Sequence, residues 1–204
     1  MAIITNHLKP IIVIALITLQ LFIFSCASNY ISYININPVT SFSKSKIKDL
    51  KTAKISVLSI NNDINNNIVG YKIKQNLFYS KNSNLIYSTS NILELVDKSF
   101  QNWLIKNKVK ITKAKNYQKK IIVKLGYISI YPVIDNNYIF KPFLRAAIKI
   151  EIYDSKNHIL YDHWHFYNKS FSSYKATILE RNLNYSLKEF IKEIIININP
   201  YMSK

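Results

Sequence analysis

His163 and His165 stand two positions apart in Asp162-His163-Trp164-His165-Phe166. On a β-strand, positions i and i+2 face the same way, so both imidazoles can present to one side as a pair of metal ligands would. His158 and Glu151 lie in the same predicted hairpin and offer a third donor. The same stretch also reads as an ordinary strand, with Trp164 and Phe166 turned inward and both histidines on the wet face. A zinc site needs three or four ligands in fixed geometry, which two histidines do not supply. Carboxylate pairs for acid–base work are scarce. Asp135, Glu151, Asp154 and Asp162 all fall on strand or turn positions expected to be solvated. The expectation is a chain with no catalytic residue, no metal ligand and no cofactor. A metal-binding or hydrolytic protein using the His158 to His165 hairpin is the alternative.

Other chemistries are excluded by composition. The 204 residues include two glycines, Gly70 and Gly126. A phosphate-binding Walker loop, a dinucleotide fingerprint and a GxSxG nucleophile elbow each need glycines a few positions apart, so none can form. A single cysteine, Cys26, rules out an internal disulfide and a thiolate zinc cluster. Tyrosine is abundant, with 15 residues. Tyr127, Tyr131 and Tyr153 are expected on the sheet face opposite the helices, where an aromatic, lysine-bearing surface can hold a glycan or an envelope protein. The alternative is that tyrosine simply covers the sheet.

The lone cysteine has a telling position. Ile11 to Phe24 is apolar apart from Thr18 and Gln20, a run too short to span a bilayer but the length of a signal-peptide apolar region. It ends in Ile23-Phe24-Ser25-Cys26-Ala27. This resembles a bacterial lipoprotein signal, in which cleavage between Ser25 and Cys26 leaves a lipidated cysteine as the first mature residue. Each buried acyl methylene contributes about 0.8 kcal/mol, so two or three chains hold a protein on a membrane essentially permanently. Ala27 in place of an aspartate points, by the same resemblance, to the outer membrane and its periplasmic face, with the inner membrane as the other possibility.

The formal net charge is +17, and +16 once residues 1–25 and their one basic side chain, Lys9, are removed. Such a charge suggests an anionic partner. Yet only Arg145 and Arg181 are arginine, the better residue for bidentate phosphate contacts, and the lysines are scattered. A chain rich in Lys, Ile, Asn and Tyr is what an AT-rich genome encodes. Nucleic acid is not expected as a partner. Envelope proteins, anionic lipid and lipopolysaccharide are.

These candidates must be positioned by elements that periodicity predicts. Residues 26–51 read as a lipidated tether, in which Ile31, Tyr33, Ile34 and Ile36 can add an edge strand. Lys54 to Ile60 is a β-branched strand, Asn61 to Asn67 is turn chemistry, and Leu85 to Ser88 is a short strand. Asn91 with Glu94 opens a helix carrying Leu95, Val96, Phe100 and Trp103 on one stripe, ended by Asn107 as a left-handed cap. A strand over Lys119 to Tyr131 changes phase at Gly126, predicting a β-bulge. Phe143 to Asp154 alternates between a buried and a wet face, turns at Asp154 to Asn157, and returns over Ile159 to Ser170. A helix from about Lys175 to Ile198 closes the chain, with Pro200 as its stop. The order predicts an α+β domain over 52–204: a mixed, mostly antiparallel sheet with two helices packed on one face.

With those elements in place, the mature chain resembles the YajG family of gammaproteobacterial lipoproteins. The resemblance rests on the Ile23 to Cys26 segment, the first strand running into Asn62-Asp63 and Val69-Gly70, and the Ser90 to Asn107 helix leading into the Ile121 to Tyr131 strand. Ala146 to Ile150 before the hairpin and the Leu179 to Asn197 helix complete it. It implies the fold and an envelope location, and adds no catalytic residue. The function expected is that of a lipid-anchored periplasmic interaction or scaffold domain.

Overall fold

The computed structural model describes residues 32–40, 42, 47–60, 68–72, 84–114, 116–134, 136 and 140–203. Within Ile31–Lys204 the described residues form one compact unit. Ser25, Cys26, the Asn61 to Asn67 turn and Asp135 lie outside the described residues.

Among the described residues, eight strands and two helices follow in the order β1 (Ser32–Ile34), β2 (Thr52–Ser59), β3 (Ile68–Lys72), β4 (Asn84–Ser88), α1 (Ile92–Lys106), β5 (Lys110–Ile111), β6 (Lys119–Ile134), β7 (Phe140–Asp154), β8 (Ile159–Ser170) and α2 (Ala176–Met202). They make a mixed sheet in an α+β fold. The long strands β6, β7 and β8 are antiparallel neighbours. On its other side β6 is flanked in parallel by β2 and then by β3. Parallel β5 extends the β2 branch, while antiparallel β4 and parallel β1 extend the β3 branch.

One face of this sheet carries the core. Ile121, Val123, Leu125, Ile128 and Ile130 of β6 pack beside Leu144, Ala146, Ile148, Ile150 and Ile152 of β7. The α1 stripe and the α2 residues Leu179, Leu183, Leu187, Phe190, Ile191 and Ile194 close over them in the same cluster. The phase change at Gly126 is a bulge, because the register shifts between Leu125 and Tyr127. That shift keeps apolar residues inward on both sides of it.

Helix α1 begins as its sequence predicts: the Asn91 side-chain oxygen accepts from the N–H groups of Leu93 and Glu94. Its end differs by one residue. Lys108, with φ 62°, is the left-handed position, and Asn107 is not. Lys108 N–H donates to Ile105 O and Val109 N–H to Leu104 O, the two bonds of a Schellman motif. Pro200 does not stop α2, which runs on to Met202. The ring removes the donor that would reach the carbonyl of Ile196, a residue 63% exposed, where water can serve instead. Buried Met202 holds the last turn down.

The segment expected as tether is folded over much of its length. Tyr33 and Ile34 do lie in a strand, β1, beside β4. Beyond it, Ile36, Val39, Phe42 and Leu50 enter the core. This segment's backbone finds partners in helix side chains. Asn37 N–H donates to Asn184 Oδ1 at 2.8 Å, Val39 N–H to Ser99 Oγ at 2.8 Å, and Lys106 Nζ donates to Phe42 O at 2.6 Å. Irregular backbone packed against a core needs such partners. Where described, residues 32–51 therefore belong to the domain.

Candidate functional site

Strand β8 is an edge: among the described residues its only neighbour is β7. Its register places His165 opposite Ile148, His163 opposite Ile150 and Trp164 opposite Lys149. Directly opposed residues share a face, so the two histidines lie on the helix side and Trp164 and Phe166 on the open side. This reverses the expected orientation. The reason is visible on both faces. On the helix side Tyr161 packs on Tyr201, the rings tilted with centroids 4.8 Å apart, and Tyr167 packs on Phe190 at 5.4 Å. On the open side the Trp164 ring settles over Gly126, where a Cβ would come within 2.9 Å of it.

Between β8 and α2 runs an open cleft of about 620 Å³. Tyr161, His163 and His165 line it from the strand, and Phe190, Glu193 and Tyr201 from the helix. Trp164 and Phe166 reach it as well, so the cleft follows the outer edge of the strand and touches both of its faces. His165 is 9% exposed, and its Nε2 lies 3.0 Å from the Tyr161 hydroxyl. Burial, with His163 beside it, pushes the His165 pKa below the ordinary imidazole value. Burial and the neighbouring Tyr201 push the Tyr161 phenol up. At neutral pH the site is thus a neutral Tyr–His pair on an aromatic floor, with Glu193 at its exposed rim.

The hairpin histidines and carboxylates do not converge. Among the described residues no three of His, Cys, Asp and Glu gather as a metal site. Glu151 sits opposite Asp162 on the open face, away from His163 and His165. His158 stays at the turn, 2.9 Å from Asp154 Oδ2 through Nδ1. Burial raises the Asp154 pKa, but bonds from the His158 N–H and ring and the Lys156 N–H outweigh it and hold the carboxyl low. That arrangement is turn chemistry. Among the described residues, the His158 to His165 hairpin gathers no third ligand beside His163 and His165.

Glu151 itself departs from expectation: it is buried, not solvated. It pairs with Lys124, lies 3.2 Å from Lys149 Nζ and accepts from the Tyr153 hydroxyl at 3.0 Å. Lys149 also reaches Asp162 at 2.8 Å. Burial raises the Glu151 pKa, yet its three donors more than compensate and hold it below the usual range. Every member is matched, so the network is a tie across three strands. Tyr127, Tyr131 and Tyr153 share this open face, as expected from their phase. A second cleft of about 360 Å³ lies between residues 37–40 and α2 and carries Arg181 and Lys188. The site that sequence reasoning missed is the β8–α2 cleft itself. Gly126 marks the room that the Trp164 ring takes on the open face, but no local signal in the sequence points to the cleft on the helix side.

No protein-family profile matches this chain, and no curated protein matches it in sequence. Solved structures do resemble it. A Xanthomonas campestris protein of the DUF330 family superposes with a TM-score of 0.62 at 6% identity, covering 83% of this chain and 95% of that one. A minor lipoprotein from Acinetobacter baumannii gives a TM-score of 0.40 at 10% identity over 76% and 93% of the two chains. The uncharacterised lipoprotein B of Nitrosomonas europaea gives 0.40 at 8% identity over 78% and 87%. The first of these likenesses shows a shared fold. No helix among the described residues is long and apolar enough to cross a membrane.

Proposed function

We propose that this chain is a lipid-anchored lipoprotein of the bacterial envelope, similar to the YajG family, whose domain binds other envelope components and catalyses no reaction. The observation that carries the reading is the Ile23-Phe24-Ser25-Cys26 segment after a 14-residue apolar run, with the chain's sole cysteine at its end. Lipid on Cys26 fixes the protein to a membrane, the outer membrane by the resemblance of Ala27, and the domain works from its periplasmic face. The α+β fold shared with a DUF330 protein is compatible with this role. So is an open sheet face on which Lys124, Lys149, Glu151 and Asp162 are tied to one another. Envelope proteins are the leading partners. Anionic lipid or lipopolysaccharide is favoured by Arg181 and Lys188 in the smaller cleft, and such binding fades with added salt.

Growth with a labelled fatty acid tests the anchor. Label is expected in the wild type and absent from Cys26→Ser. A wild-type protein that stays unlabelled refutes it.

A further inference from the structure

We propose that the edge of β8 left unpaired among the described residues pairs with β8 of a second copy of this chain, joining two sheets across a two-fold axis. The inference does not depend on the lipid anchor.

Edge strands of this length are normally blunted by lysines, prolines or bulges, because their unpaired N–H and C=O groups template another strand. Strand β8 has 12 residues with no proline, Lys169 is its one lysine, and its one register shift, at Leu160, lies at its start and outside the Tyr161–Lys169 stretch. Instead it displays Phe166, 64% exposed, stacked on Trp164 with centroids 6.0 Å apart. The cleft along this edge has no lysine or arginine in its lining, on a chain with 28 of them. It is where two strongly cationic copies approach with least repulsion. The strand itself balances Asp162 against Lys169.

Self-complementarity selects the register. Antiparallel strands keep a continuous sheet face only when opposed residues belong to the same face, so the axis must pass through a residue position. With His165 at the axis, Trp164 faces the partner's Phe166, and Phe166 faces the partner's Trp164. Asp162 then faces the partner's Asn168, and Tyr161 faces the partner's Lys169. Aromatic and cation–aromatic pairs of this kind are favourable across strands. With Trp164 at the axis, Asp162 would oppose the partner's Phe166 and Ile159 the partner's Lys169. The first register is the one proposed. In it each cleft receives the other strand's helix-side residues, and the four aromatic rings close over the open face.

Sedimentation equilibrium of residues 31–204, the compact unit, tests the pairing. A concentration-dependent dimer is expected, strengthened by added salt because screening relieves the repulsion between like-charged copies. Phe166→Lys should weaken it about tenfold or more, while Ile105→Lys, exposed on α1 and away from β8, leaves it unchanged. Phe166 is mostly exposed, so its variant should keep the far-ultraviolet circular dichroism of the wild type, and its melting temperature at concentrations where both are monomers. In the register test, His165→Cys supplies the only thiol of that fragment and should form a symmetric disulfide on mild oxidation, whereas Trp164→Cys should not. A monomer at every concentration, or a dimer indifferent to Phe166→Lys, overturns the proposal. Preferential crosslinking through Trp164→Cys overturns the register.

Discussion

A methyl group at Gly70 would lie 2.2 Å from the Ile130 carbonyl oxygen, and one at Gly126 would lie 2.9 Å from the Trp164 ring. The chain's two glycines thus stand where strand β3 meets β6 and where the bulge admits an indole. The obstacles differ. A backbone carbonyl in the middle of a sheet cannot yield, and Gly70 also holds φ +155°. A tryptophan ring 36% exposed can tilt. Overpacking typically costs about 1–3 kcal/mol, so Gly126→Ala should fall in that range and Gly70→Ala at or beyond its upper end. Denaturant unfolding of both variants measures the difference, and equal costs would contradict the account. His165 gives a pH dependence. Its folded pKa lies below the ordinary value, so the unfolded chain binds its proton more readily. The stability it contributes is complete above about pH 6.5 and is lost as pH falls through that value toward the folded pKa. Melting temperature should therefore decline between mildly alkaline and mildly acid pH. His165→Gln should flatten that decline well before Glu151 begins to protonate.

Helices and strands were legible to different depths. The inward rows of β6 and β7 repeat every second residue with aliphatic side chains, so periodicity alone placed the sheet, the bulge and the hairpin. The β1 strand and the segment after it carry buried side chains, Ile34, Ile36, Val39 and Phe42, among Ser, Asn and Lys. Their partners lie about 60 to 150 positions away, on α1 and α2. No local pattern encodes such contacts. The orientation of β8 was misread for a related reason. Period two says that His163 and His165 oppose Trp164 and Phe166, but an edge strand with aromatics on both faces does not say which side meets the helix. Only Phe190 and Tyr201 on a distant helix decide it. The α1 terminus shows the same limit at one-residue scale: an asparagine drew the left-handed assignment, yet the Schellman bonds put it on Lys108. A non-glycine residue there costs about 1–2 kcal/mol of backbone strain. Glycine relieves it and returns part of the gain to unfolded-state entropy. Lys108→Gly should accordingly stabilise the domain by about 0.5–1 kcal/mol, measured by the shift in the denaturation midpoint at constant m. Destabilisation would mean that the lysine stem contributes more than the strain removes.

At the scale of the whole molecule, the folding of residues 32–40, 42 and 47–51 changes what the anchor can do. A tether of 25 residues could extend the domain roughly 80 Å or more from the membrane. With β1 beginning at Ser32, only six residue steps separate it from Cys26, a reach of about 20 Å at full extension. If lipid sits on Cys26, as proposed, the start of β1 is held near the headgroups and the domain surveys the membrane surface instead of the periplasmic depth. A net charge of +16 on the mature chain then matters more, since screening removes its influence beyond about 8 Å at physiological salt. The lipidated protein, reconstituted in vesicles bearing a headgroup acceptor, should show energy transfer from Trp164 that falls when about 20 Gly and Ser residues are inserted after Tyr30. Such a flexible insert adds a root-mean-square reach of roughly 25 Å, enough to be read. The comparison is best made with Trp103→Phe as background, leaving one donor. Transfer unchanged by the insertion would show that the domain's own surface, and not the short lead, keeps it at the bilayer. The same measurement at high salt then asks whether lysines provide that hold.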